Sequence, residues 1–394
     1  MNLVFSDQAY PTEVVKSLFL AGPSPRVPEH PDWRQEAVAL LERIGFSGTV
    51  FVPVPQRVFE KTGALAGQEY DTQIKWETTC RAMADQIVFW VPRDIAGGMP
   101  AFTTNTEFGE DLSSGKMVYG RPPEAEKCRY LDARYAELGE VPHTTLEGLL
   151  RDASARLGSG SIRKDGETKV PLFIWNSPQF QGWYADLKLA GNSLVDAKVL
   201  HSFKIKNKFL LSYVMWVNVW VAAENRYKSN EFVFSRKNIS TIVAYRLTKD
   251  SVEVVLVKEF RSPVSTPEGY VYELPGGSSF ETAENPLVTA QHELEEECGL
   301  HIDDVSRFKL AGTRQLVATL STHKGSVYYI ELTALEMDAL RKKQRLGEIN
   351  GVVEDTERTM VYILNLKNIA DVPVDHSTLG MISLALATVR DPNR

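Results

Sequence analysis

Three glutamates at helical spacing are the residues of this chain best placed to do chemistry. In His292-Glu-Leu-Glu-Glu-Glu-Cys-Gly-Leu300, Glu293, Glu296 and Glu297 fall at i, i+3 and i+4. Their carboxylates therefore share one helix face, where like charges repel. A hard, oxygen-liganded cation, Mg²⁺ (or Mn²⁺), is the compensation that fits them; a solvated acidic face is the alternative. A second set lies in the first half of the chain. Thr103-Thr-Asn-Thr-Glu-Phe-Gly109 puts Glu107 in the first turn of an expected helix, where the helix dipole favours the anion. At the rim of a parallel sheet such a carboxylate can attack a sugar carbon. Retaining glycosyl transfer also needs a second acidic group, for which Asp85 is the candidate. Thr104 followed by Glu107 is equally a capping box, and Asp85 equally a turn residue before a strand. Arg26 and Arg93 could hold a phosphate or simply lie at the surface.

The elements that must carry these residues are legible in part. Asn285 followed by Pro286 is a helix start and Gly299 a helix stop, so the three glutamates lie on one helix. Ahead of it, Val271-Tyr-Glu-Leu-Pro-Gly-Gly277 reads as a strand closing in a glycine turn. The first 150 or so residues alternate strands (18–21, 50–54, 86–91, 117–119) with helices (33–44, 76–83, 105–114), which implies a parallel sheet covered by helices. Ligands of such sheets sit beyond the carboxyl ends of the strands, so Gly22, Arg93 and Gly120 are expected at a common rim. A closing helix spans 146–157. Residues 158–169 have no apolar period and read as a linker, and from Val170 the pattern turns β-rich. The expected division is therefore 1–158, a linker, and 170–394, with the β-rich stretch extending the second domain at its start.

At 394 residues two domains are expected, and 43% hydrophobic with 24% charged residues is ordinary for a globular protein. The net charge of −7 gives no pull toward a nucleic-acid polymer or an anionic membrane. The apolar run 209–221 is too short to span a bilayer. Cys80, Cys128 and Cys298 form no metal spacing and suggest a reducing compartment. The first residues lack the regions of a signal peptide, and the expected location is the cytoplasm.

Two resemblances add to this reading. Gly277 to Glu284, then seven residues and His292-Glu-Leu-Glu-Glu-Glu-Cys-Gly-Leu300, resembles the Nudix hydrolase signature, with one extra residue in the first spacer and His292 in place of arginine. The resemblance implies an α+β Nudix fold and divalent-metal hydrolysis of a nucleoside diphosphate linkage. Lys258-Glu-Phe-Arg261, Tyr272-Glu-Leu-Pro-Gly276 and Glu354-Asp-Thr-Glu357 resemble the branch acting on ADP-ribose and related nucleotide sugars. By that resemblance Arg261 and Glu273 meet substrate, and Glu354 or Glu357 supplies a catalytic carboxylate on a loop. The second resemblance runs through Phe19-Leu-Ala-Gly-Pro-Ser-Pro-Arg26, Trp76-Glu77, Ala84-Asp85, Phe89-Trp-Val-Pro-Arg93, Thr104-Asn-Thr-Glu-Phe-Gly109 and Gly115-Lys116. These pieces resemble the nucleoside 2-deoxyribosyltransferases and the related nucleotide N-glycosidases. That family has a flavodoxin-like or Rossmann-like α/β fold and commonly forms dimers. The resemblance implies a nucleophilic Glu107, an active-site Asp85, and substrate contacts from Phe19, Gly22, Asn105 and Gly109. Phe19 stands where some relatives carry a tyrosine. Together these features predict a bifunctional enzyme acting on a small nucleotide or nucleotide sugar. Its rivals are an NAD glycohydrolase coupled to ADP-ribose cleavage, and a second domain that only senses a nucleotide.

Overall fold

The computed structural model describes residues 1–26, 31–61, 70–205, 209–278, 285–352 and 357–390. Glu284 and Glu354 lie outside them. The chain forms two compact units, Met1–Ser235 and Arg236–Arg394.

The first unit is built on five parallel strands: β1 (Asn2–Phe5), β2 (Ser17–Ala21), β3 (Thr49–Val52), β4 (Gln86–Trp90) and β5 (Met117–Gly120). They lie in the order β1-β3-β2-β4-β5. The strands are apolar throughout because both sheet faces are covered, as in parallel sheets generally. Alternate side chains serve opposite faces. Leu18, Leu20, Val88 and Trp90 pack against α1 (Trp33–Arg43) and α4 (Leu146–Leu157). Phe19, Phe51, Phe89 and Tyr119 pack with α2 (Tyr70–Met83) and α3 (Phe102–Asp111), through Trp76, Cys80 and Phe108. The alternating strand–helix pattern thus gives the expected α/β unit.

The expected linker is not one. Arg163–Lys164 pairs with Glu13–Val14, and Asp165–Lys169 is a turn of 3₁₀ helix. The β-rich stretch then forms a three-stranded sheet of β6 (Ser193–Ile205), β7 (Phe209–Val221) and β8 (Arg226–Arg236). Its residues Leu194, Tyr213 and Met215 join the same core as Leu18 and Trp33. This stretch therefore completes the first unit, and the division falls near residue 235 rather than in 159–169. The physical reason is a shared hydrophobic core, which local composition does not reveal.

The second unit has a mixed sheet. Its strands are β9 (Ile239–Leu247), β10 (Val252–Phe260), β11 (Tyr270–Glu273), β12 (Gly276–Gly277), β13 (Lys309–Gln315), β14 (Lys324–Glu331), β15 (Ile349–Asn350) and β16 (Thr359–Asn365). Strands β9 and β14 run parallel, and β9 and β10 form the expected antiparallel pair. One face, with Ile242, Ala244 and Val255, packs on α5 (Pro286–Cys298) and α6 (Ala334–Leu346). The other, with Val243 and Leu256, packs on α7 (His376–Arg390). Asn285 caps α5 by accepting from the Leu287 amide at 3.0 Å, and Gly299 ends it in the left-handed conformation, as expected.

Candidate functional site

Each unit carries a cavity lined by carboxyl groups. The one in the first unit, about 380 Å³, opens beyond the carboxyl ends of β2 and β3 and is walled by Phe19, Gly22, Arg26, Gln73, Glu77 and Glu107. Its floor is the Gly22 turn. Gly22 has φ +154°, and a Cβ there would stand 2.2 Å from the Trp90 carbonyl oxygen, so a larger residue does not fit. Buried Arg34 ties the turn down, donating to the carbonyls of Leu20 (3.1 Å) and Gly22 (2.6 Å) and to Ser24 Oγ (3.2 Å).

Above this floor Glu77 of α2 meets Glu107 of α3, because both helices cover the same sheet face. The two carboxyls are close enough to share a hydrogen bond, and burial raises both. Burial, then the Glu77 charge, pushes Glu107 up to about 8. Burial raises Glu77 as well, against a hydrogen bond from Gln73 Nε2 (2.7 Å) and the charge of Arg34. Close carboxyls in a partly dry site hold one proton between them.

This geometry changes the expected roles. Helix α3 begins at Phe102, after Ala101 in the left-handed conformation (φ 57°) with no side-chain cap, so Glu107 sits in its second turn. Neither the capping box nor first-turn stabilisation of the anion applies, and Glu107 is pushed toward its neutral form instead. Asp85 is not in this site. It precedes β4, at the opposite end of the sheet, and is fully buried. It accepts from Ser17 N (2.8 Å), Ser17 Oγ (3.0 Å), Leu172 N (2.8 Å) and both Nη atoms of Arg163 (2.8 and 2.6 Å). With its acceptor sites filled, it is a structural carboxylate. Arg93 is buried too, donating to the Lys127 carbonyl (2.9 Å) and to Asn105 Oδ1, so this pair braces a loop rather than lining the cavity. Gly109 is exposed on α3, outside the cavity wall. Phe19, Gly22, Arg26 and Glu107 all line the cavity. Glu77 was overlooked, although Trp76-Glu77 stands among the motif pieces.

The second unit's cavity, about 810 Å³, is lined by Arg261, Glu273, Gly277, His292, Glu293, Glu296 and Glu357. At its edge one carboxylate oxygen each from Glu259, Glu297 and Glu357 lies within 4.8 Å of the others. Glu297 is 2% exposed and accepts from Gly276 N at 2.9 Å. Burial, then the Glu293 charge, holds it well above the ordinary carboxyl range. Burial lifts Glu259 to about 6 even though Arg261 pairs with it at 2.8 Å; the same guanidinium donates to Glu273 at 2.6 Å. Glu293 packs against the Gly277 backbone, where a Cβ would stand 2.2 Å from its Oε1. The tight cluster thus keeps Glu297 of the helical three, adds Glu357, and brings in Glu259, which only its place in Lys258-Glu-Phe-Arg261 could have flagged.

Residues 15–125 match the family model described as nucleoside 2-deoxyribosyltransferase like. The matched span holds the Gly22 turn, Glu77 and Glu107. It supports a nucleotide-related glycosyl-transfer activity for the first unit. No curated protein matches the chain. No helix among the described residues is long and apolar enough to cross a membrane.

Proposed function

We propose that the first unit breaks or transfers the N-glycosidic bond of a nucleoside or nucleotide, and that the second hydrolyses a nucleoside diphosphate-linked substrate with Mg²⁺ (or Mn²⁺). The observation that carries the first part is the Glu77–Glu107 pair in a cavity formed by residues of the matched family span. A glycosyl transfer needs one charged carboxylate to attack the anomeric carbon and one proton for the leaving base. This pair holds both. With the shared proton on Glu77, Glu107 is the charged carboxylate. Glu107 then attacks the sugar carbon as the C–N bond breaks, and Glu77 delivers the proton to the departing base. In the return step water or a second base displaces Glu107 from the sugar carbon and gives its proton to Glu77. Arg26, exposed at the cavity mouth, is placed for a phosphate.

Base release from a panel of nucleosides and nucleotides, followed by mass spectrometry, tests this reading. Glu107→Gln and Glu77→Gln should each lower it by roughly 10²-fold or more. Wild-type base release from Glu107→Gln would overturn it.

In the second unit the chemistry of the donors fits a divalent cation. Three carboxylates converge, and burial already disfavours the charges of Glu259 and Glu297. Glu259, Glu297 and Glu357 would hold the ion, and Glu293 and Glu296 beside them could accept the proton of an attacking water. When bound, Mg²⁺ would polarise the phosphoryl oxygens and ease ionisation of that water. Mg²⁺ should raise the thermal midpoint of the wild type but not of the Glu259→Gln, Glu297→Gln double variant. A midpoint indifferent to Mg²⁺ in the wild type would remove the metal, and the hydrolysis proposed with it.

A further inference from the structure

A second cavity in the first unit, about 580 Å³, lies at the end of the sheet where β4 and β5 begin, away from Glu77 and Glu107. Four cationic side chains line it: Arg81, Lys116, Lys169 and Lys198. Three acids, Glu110, Asp111 and Asp196, share the wall, but among the described residues only Arg81 of these cations has carboxylates at ion-pair distance. Arg81, 6% exposed, spends its Nη atoms on Glu110 and Asp111, both at 2.8 Å, and leaves a buried Nε with no partner. Lys116, also 6% exposed, donates to the carbonyls of Arg81 (2.6 Å) and Ala82 (2.9 Å). Lys169 Nζ meets the Met83 sulfur at 3.2 Å and the Tyr10 ring at 5.2 Å. Among the described residues none of the three lysines has a carboxylate within ion-pair distance. The third acid on the wall, Asp196, accepts from its neighbour's amide, Ala197 N, at 2.9 Å. Lys169, half-buried, and Lys198, exposed, thus face the cavity with no carboxylate at ion-pair distance, and a phosphate entering it would gain charge-assisted hydrogen bonds from both.

The wall also has a flat apolar part. Trp216 of β7 stands opposite Lys198 of β6 in the strand register, and its indole is fixed by donation from Nε1 to the Ser229 carbonyl at 2.7 Å. With the Met83 thioether it offers a surface for a ring. We propose that this cavity is a second binding site, for a phosphate monoester that carries a flat ring, the phosphate meeting Lys169 and Lys198 and the ring lying on Trp216. A nucleoside monophosphate belongs to that class, and the size of the cavity suits it.

Calorimetric titration of the full chain with phenyl phosphate tests the site, with phenol and inorganic phosphate as comparisons. Phenyl phosphate should bind saturably and more tightly than either. Lys169→Gln and Lys198→Gln should each weaken it about tenfold, and Trp216→Leu should abolish the preference over inorganic phosphate. Lys198 is exposed, so its substitution leaves the fold intact. Binding should be unchanged in Glu107→Gln, which alters the other cavity. No saturable binding, wild-type binding by the Lys169→Gln, Lys198→Gln double variant, or equal affinity for inorganic phosphate would overturn the proposal.

Discussion

With one proton held between them, Glu77 and Glu107 make the first unit's stability depend on pH. Glu107 binds its proton more tightly folded (about 8) than at its ordinary value of 4.5. Its contribution is therefore fully present below the ordinary value and is lost as pH rises through about 8. Thermal midpoints measured from pH about 5 to about 9 should fall in the wild type relative to Glu107→Gln; parallel curves would show that the carboxyl is not perturbed. Asp85 makes a different prediction. Its partner Arg163 is wholly buried, so Arg163→Met leaves a buried carboxylate uncompensated and should cost about 3–5 kcal/mol in denaturant unfolding. Adding Asp85→Leu should recover much of that loss, because the orphaned charge is then gone. A double variant no more stable than the single would mean that geometry, not charge, is what the pair supplies.

At the scale of elements, the strand-to-helix turn at Gly22 decides whether the first cavity exists. Gly22→Ala drives a Cβ against the Trp90 carbonyl and the Trp33 ring. It should cost roughly 2 kcal/mol or more and remove nucleoside binding, checked by thermal unfolding and calorimetry. A variant that binds as well as the wild type would show that the turn yields. The elements also show what the sequence could and could not reveal. The parallel strands and the α5 glutamates were legible, because apolar runs, caps and i, i+3, i+4 spacing are local signals. The start of α3 was not, since Ala101 takes up a left-handed conformation that alanine does not advertise. Asp85 was misplaced for a reason the sequence did contain. A residue just before a parallel strand lies at the opposite rim from one just after it, so Asp85 could not join Gly22. Glu77 and Glu259 required knowing which helix and strand face each cavity, which is a property of packing.

For the whole molecule, the division near residue 235 predicts which fragments fold. Residues 1–235 and 236–394, expressed separately, should each unfold cooperatively. Residues 1–158 alone should not, having lost Arg163, Leu172 and the apolar residues that close one face of the core. A cooperative transition in the 1–158 fragment would show that the sheet is self-sufficient. The polar stretch 158–169 concealed this because its one decisive residue, Arg163, looks like any surface arginine until its distant acid is known.

That same pair also sets a schedule for synthesis. Arg163 follows Asp85 by 78 positions. At ribosomal speeds of about 5–20 residues per second, the chain carries an unanswered carboxylate at the base of its sheet for roughly 4–16 s. During that interval the nascent sheet is a target for proteases and holding chaperones, and protection of arrested chains from limited proteolysis should appear only once Arg163 and Leu172 have left the exit tunnel.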